Sequence, residues 1–249
     1  MKVKTILVSQ PEPTVENSPY FDIIDRQKVK IDFRCFIHVE GVPSKDIRAQ
    51  KVDLKNFSAV ILTSRNAADH YFRIAKEMRY SVPDSMKYFC QSEAIAKYLQ
   101  KYIVYRKRKI YVGKRTFSEL IPIIKKYKSE TFLLPSSDKL KPEVPKLLNE
   151  LGVSWKEATF YKTVVSDLSD LRDVQYDILV FYSPSGIKSL FENFPGFEQK
   201  DTRIAVFGNT TIKAATEKGL RIDIQAPTPE VPSMTMAIEN YIKEANKRK

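Results

Sequence analysis

An internal repeat narrows the fold of this chain more than any other feature. Val60-Ile-Leu-Thr-Ser64-Arg-Asn-Ala67-Ala-Asp-His-Tyr-Phe72 aligns with Leu179-Val-Phe-Tyr-Ser183-Pro-Ser-Gly186-Ile-Lys-Ser-Leu-Phe191, 119 positions further on. Downstream, Phe89-Cys-Gln-Ser92 aligns with Phe207-Gly-Asn-Thr210 at an offset of 118. Each copy reads as a short apolar strand, a turn rich in Ser and Thr, and an amphipathic helix, followed by a second such unit. Short apolar runs alternating with helical periodicity imply parallel sheets covered by helices. Two similar α/β lobes follow.

The rest of the chain fits that alternation. Thr5–Ser9 and Thr131–Pro135 read as strands, and Pro142–Leu151 as a helix ended by Gly152. In Ile31–Val39, Ile31, Phe33, Cys35, Ile37 and Val39 alternate on one face, the period of a single half-buried strand. The tail from Asn246 to Lys249 is expected to fray.

Several function classes find no support in these residues. Cys35 and Cys90 have no Cys or His at metal-ligand spacing, and a disulfide framework is not expected. His38 and His70, the only histidines, lie in no nucleophile motif and read as surface or packing residues. No P-loop or dinucleotide glycine pattern occurs, so no cofactor and no metal are expected. The longest apolar runs, such as Ile178–Tyr182, fall far short of the ~20 residues of a membrane span. A cytoplasmic protein without membrane attachment is the expectation.

The formal net charge is +12, unevenly spread: Lys101–Lys128 holds ten Lys/Arg against one acid, Glu119. Such a field attracts polyanions, whether nucleic acid, an acidic surface or a polycarboxylate, and equally describes a solvated face. No nucleic-acid recognition motif accompanies it.

Ser64, Ser92, Ser183 and Thr210 fall where strands give way to helices, the position at which a hydroxyl caps unpaired backbone N–H groups. Pro184 suits the first helical position. In parallel α/β sheets these turns gather at the carboxyl ends of the strands, where ligands bind. Each is either an ordinary cap or an anion site built from amide hydrogens and the helix dipole. At Gly186 a ligand could approach the backbone closely. Tyr161 offers a phenol donor, or packs. Lys139 and Lys141 follow the turn Pro135-Ser-Ser-Asp and are placed to meet anions, or water.

At these turns the chain resembles the uroporphyrinogen-III synthase family. The resemblance lies in Phe181-Tyr-Ser-Pro-Ser-Gly-Ile-Lys-Ser-Leu, Ile204-Ala-Val-Phe-Gly-Asn-Thr-Thr-Ile-Lys-Ala-Ala and Ala226-Pro-Thr-Pro-Glu. Upstream it continues through Ile61-Leu-Thr-Ser-Arg-Asn-Ala, Leu134-Pro-Ser-Ser and Glu157-Ala-Thr-Phe-Tyr-Lys-Thr-Val. Each motif is weak alone; the ordered set spans almost the whole chain. Two departures stand out. Cys90-Gln-Ser-Glu replaces a turn that usually contains glycine, and Lys141 stands where an arginine is frequent, keeping charge without the bidentate fork.

The resemblance implies two α/β lobes joined by a two-stranded ladder: residues 1–34 with 166–249, residues 40–157, and connecting strands 35–39 and 158–165. It implies a cyclising lyase of haem biosynthesis, a monomer that converts hydroxymethylbilane to uroporphyrinogen III with loss of water and inversion of ring D. The candidate substrate contacts are Ser64, Arg65, Asn66, Ser137, Lys141, Ser183, Pro184, Ser185, Gly186, Thr210 and Thr211, with Tyr161 as hydrogen-bond donor or acid near the departing hydroxyl. The competing expectation is a non-catalytic two-lobed binding protein for a polycarboxylate.

Overall fold

The computed structural model describes residues 2–172 and 174–247, which form two compact units: Met1–His38 with Val164–Lys249, and Val39–Thr163. The first unit opens with β1 (Thr5–Val8), α1 (Pro19–Gln27) and β2 (Lys30–Phe33). The chain then runs through β3 (Ile37–Gly41), α2 (Ser44–Ala49), β4 (Ala59–Leu62) and α3 (Arg65–Glu77). Next come β5 (Lys87–Cys90), α4 (Glu93–Tyr98), β6 (Ile110–Val112) and α5 (Ile121–Lys125). β7 (Thr131–Ser137), α6 (Glu143–Leu151) and the long β8 (Ser154–Val165) lead back to the first unit. That unit is completed by β9 (Ile178–Phe181), α7 (Pro184–Asn193), β10 (Arg203–Phe207), α8 (Asn209–Glu217), β11 (Ile222–Ala226) and α9 (Met234–Lys247).

The first sheet runs β11-β10-β9-β1-β2 and the second β3-β8-β7-β4-β5-β6. Taken from the opposite edge, β6-β5-β4-β7-β8 repeats the order β11-β10-β9-β1-β2, with β3 added. The pairs within both runs are parallel. At the added edge, Val42 N–H bonds to the Phe160 carbonyl and Ser166 N–H to the Phe36 carbonyl. One partner number falls as the other rises, so β3 runs antiparallel to β8.

The central strands explain the helices on both faces. In β4, Val60 and Leu62 join one core with Ala67, Tyr71 and Ile74 of α3, while Ala59 and Ile61 join another with Ile124, Val144 and Leu148. In β9, Ile178 and Val180 pack with Ile238 and Ile242 of α9, and Leu179 and Phe181 with Ile187 and Leu190 of α7. A strand apolar on both faces is buried only under two helical layers. The fold is α/β, with two similar parallel sheets flanked by helices.

Strand register fixes the repeat and corrects it in one place. Leu179 pairs with Leu7 and its counterpart Val60 with Leu133, so Leu7 matches Leu133 and the repeat is permuted along the chain. Leu62 pairs with Cys90, and its counterpart Phe181 with Val206, so Cys90 matches Val206 at an offset of 116 rather than 118. Ser92 therefore corresponds to Gly208, and the likeness of Phe89 to Phe207 is accidental.

Several boundaries also differ from expectation, among them the connecting strand expected at 158–165, which as β8 begins at Ser154. Ile31–Val39 is not one strand: β2 ends at Phe33 and β3 begins at Ile37. The alternation breaks because the chain changes sheets there, burying Phe36 edge-on to Phe181 at 5.6 Å. β7 runs two residues past Pro135, to Ser137. Its pairing with β4 is confined to Phe132 and Leu133, so a residue without an N–H costs little at that point. In the expected tail, Asn246 and Lys247 belong to α9, and the Asn246 side chain accepts from Val3 N–H at 2.8 Å. Arg248 and Lys249 lie outside the described residues.

Candidate functional site

In the second unit, the end of β4 delivers Ser64 in extended geometry (φ −153°, ψ 166°) as the cap of α3, where its Oγ accepts from Ala67 N–H at 3.0 Å. The same Oγ lies 3.0 Å from the Tyr161 hydroxyl. Tyr161 comes from β8, opposite Ser137 of β7, and is 7% exposed. Burial, reinforced by nearby Asp138, pushes its phenol pKa up, while the Ser64 bond opposes the shift. The group is therefore a neutral donor, not a base. Two hydroxyls sharing one hydrogen bond spend one proton, so the Ser64–Tyr161 pair keeps a second for a third group.

The ring of Tyr161 is held from one face. His70 of α3 stacks on it at 5.1 Å with 16° between planes. Arg73 donates through Nε to His70 Nδ1 at 3.1 Å, which leaves the ring proton of the neutral imidazole on Nε2. The same guanidinium bonds the carbonyls of Val42 (2.7 Å) and Phe160 (3.3 Å) and pairs with Glu77. Burial and the Arg73 charge push the His70 pKa down, against the pull of Asp69 and Glu77. His70 is thus a neutral backing for the phenol.

In the first unit, the end of β9 delivers Ser183, whose Oγ accepts from Gly186 N–H at 3.2 Å at the start of α7. Pro184 occupies the first turn, as expected. Gly186 is buried, and a Cβ there would meet the Phe181 ring at 3.3 Å and Ser9 Oγ at 3.6 Å. The contacts that require glycine are thus with the chain itself. Tyr182, beside Ser183, meets Tyr20 of α1 hydroxyl to hydroxyl.

The remaining candidates are placed as follows. Arg65 and Asn66 are exposed in the first turn of α3, with the Arg65 guanidinium 5.4 Å over the Tyr98 ring. Arg65 and Tyr98, with Glu93, Ala94 and Lys97, line an open cavity of about 460 Å³. Ser137 Oγ accepts from Lys139 N–H at 3.2 Å, and Lys141 is exposed just before α6. Ser185 is half-buried. Thr210 is not a cap: α8 is capped by Gly208 at φ +83°, which puts Thr210 in its first turn. Thr211 is 1% exposed, with its N–H bonded to the Gly208 carbonyl at 3.0 Å. Ser92 caps α4 by position but without a side-chain bond.

Of the basic stretch, Lys101 pairs with Asp69 and Arg106 with Asp84. Cavities of about 470 and 550 Å³, one beside Tyr80 and Ile103 and one beside Tyr176 and Phe197, contain none of the candidate residues. They open near the amino ends of the strands, away from the capping turns, and volume alone does not make them the site. Sequence reasoning missed His70, Arg73 and the Tyr20–Tyr182 pair. No local signal joins residues so far apart in the chain, although His70 lies inside the repeat itself. Among the described residues, no helix is long and apolar enough to cross a membrane.

The chain has clear relatives. A family model described as uroporphyrinogen-III synthase HemD matches residues 28–236. A uroporphyrinogen-III synthase of Chlorobaculum parvum is 26% identical over 257 aligned positions, covering 97% of this chain and all of that one. Among solved structures, the uroporphyrinogen-III synthetase of Helicobacter pylori superposes with a TM-score of 0.60 at 20% identity, over 97% of this chain and 99% of that one. A mutant uroporphyrinogen III synthase from Thermus thermophilus gives 0.53 at 14% identity, covering 99% and 100%. With most of its length inside the family's pattern and its fold shared by solved members, the chain belongs to the uroporphyrinogen-III synthase family.

Proposed function

We propose that this protein closes hydroxymethylbilane into uroporphyrinogen III, releasing the terminal hydroxyl as water and inverting ring D through a spiro intermediate. Family membership and the Chlorobaculum relative support that reaction. At the level of residues, the reading is carried by one observation: the Ser64–Tyr161 bond, in which a half-spent hydroxyl pair sits at the carboxyl end of a parallel sheet. The retained proton is available to the departing hydroxyl, which leaves as water once it is protonated or strongly hydrogen-bonded.

Positioning supplies the rest. The substrate closes unaided to the uninverted isomer, so the protein acts chiefly by holding one pose. Backbone amides at the starts of α3, α7 and α8, with Ser64, Ser183, Ser185 and Thr210, are the proposed carboxylate holders, together with Arg65, Asn66, Ser137 and Lys141. Charge and helix dipole both favour anions there. The enzyme acts as a cytoplasmic monomer on a small molecule, not on nucleic acid.

Freshly generated hydroxymethylbilane, incubated with the protein and resolved chromatographically, tests the reading. Uroporphyrinogen III must rise with protein concentration. Type I isomer alone at every concentration refutes catalysis and leaves a binding protein.

A further inference from the structure

The first unit holds a second hydroxyl pair whose bonding is incomplete. Tyr182 follows β9 directly and adjoins the Ser183 cap, and Tyr20 lies in the first turn of α1. Their hydroxyls bond to one another, and neither has a further hydrogen-bond partner among the described residues. One hydrogen bond between two phenols consumes one proton and leaves one donor over. Tyr20 is 8% exposed, whereas Tyr182 is half-buried, so the donor left over reaches outward through Tyr182.

Both rings are fixed. Tyr20 packs edge-on to Phe33 at 5.3 Å, and Tyr182 lies against Phe207 at 5.6 Å. Burial pushes both phenols up, most strongly Tyr20, so both stay protonated at any working pH. A half-buried, unsatisfied O–H donor with no charge of its own is suited to a carboxylate, because a bond to an ionised acceptor is the strong kind.

We propose that Tyr182 donates a hydrogen bond to a carboxylate of the tetrapyrrole substrate, with Tyr20 as the positioning residue that donates to Tyr182 and aims its hydroxyl. A hydroxyl that accepts one hydrogen bond is the better donor of the next, so the order Tyr20 to Tyr182 to carboxylate strengthens each link. The inference rests on the reaction proposed above and adds a tyrosine contact in the first unit, next to the amides and serine hydroxyls at the start of α7.

Tyr182→Phe and Tyr20→Phe separate this role from a structural one. Both variants lose the same internal bond, so a mere fold lock predicts equal falls in Tm and an unchanged KM. A substrate contact predicts that Tyr182→Phe raises KM about tenfold with kcat changed little, and that Tyr20→Phe raises it only about two- to threefold. KM does not depend on the fraction of enzyme folded, so lowered yield leaves the comparison intact. An unchanged KM in Tyr182→Phe, or the same KM in both variants, overturns the proposal while the wild type still forms the type III isomer. A wild type that forms none overturns the reaction itself, and this contact with it.

Discussion

At the scale of single residues, the hydroxyls at strand ends do two kinds of work that substitution separates. Ser183 caps α7, while Ser64 both caps α3 and meets Tyr161. Ser183→Ala should therefore cost about 1 kcal/mol of stability, the usual loss for a cap, and raise KM through the lost carboxylate contact. Ser64→Ala should cost at least as much and also lower turnover; thermal melts and initial rates check both. Tyr161→Phe keeps the ring stacked on His70 and removes only the oxygen. It should reduce kcat by roughly a hundredfold and raise the share of type I isomer. Full turnover with an unchanged isomer ratio would remove Tyr161 from the chemistry. The two caps were legible in the sequence because capping is local, with donor and acceptor three residues apart. The Ser64–Tyr161 bond joins residues 97 apart, and no periodicity reports it. Thr210 misled because a glycine with φ +83° can begin a helix without any hydroxyl.

At the scale of elements, the strands that close the first sheet depend on one carboxylate. Asp177, just before β9, accepts from Lys4 N–H at 2.7 Å, Thr5 N–H at 2.9 Å and the Thr5 hydroxyl at 3.2 Å, all at the start of β1. Burial alone would raise its pKa; the bonds from Lys4 and Thr5 and the charge of Arg203 outweigh that and hold it below the usual carboxylate range. Such a group contributes stability that is complete above the unfolded pKa, about 3.9 for Asp, and is lost as pH falls through the lower folded value. Asp177→Asn should therefore be less stable by about 1–3 kcal/mol at neutral pH. The gap to wild type should shrink in acid, as urea titrations at several pH values would show. In the second sheet, Gly113 after β6 tests close approach. A Cβ there would sit 2.9 Å from the Gln91 carbonyl, so Gly113→Ala should cost about 1–3 kcal/mol. Strand existence was legible wherever an apolar run is bounded by turns, but not for β11, whose Ile222-Asp-Ile-Gln-Ala226 is no apolar run. Some strand ends were not legible: β2 and β3 merged because the apolar alternation of the sequence runs on where burial does not, with Phe36 buried between them, and β7 outran its proline because only its neighbours reveal that Pro135 pairs with β8 and not with β4.

At the scale of the whole molecule, the two units carry separate cores and so separate stabilities. The single tryptophan, Trp155, lies in β8 within the second unit, its Nε1 bonded to Asn149 at 3.0 Å. Tryptophan fluorescence therefore reports one unit, and far-ultraviolet circular dichroism both. In denaturant, Asp177→Asn should shift the dichroism transition and leave the fluorescence transition in place. Coincident shifts would mean that the units unfold together. The duplication was visible in sequence because both copies keep the strand, cap and helix. Its permuted order became secure only through strand register.

That permuted order matters while the protein is being made. The second unit is one unbroken stretch and can fold as soon as its last strand clears the ribosome. The first unit cannot: Thr5 must wait for Asp177, 172 positions later. Until then β1 has only β2 beside it, and its other edge lies open to the wrong neighbour. A nascent chain of this enzyme thus completes its middle before its beginning, and the interval between them is its period of greatest exposure to aggregation.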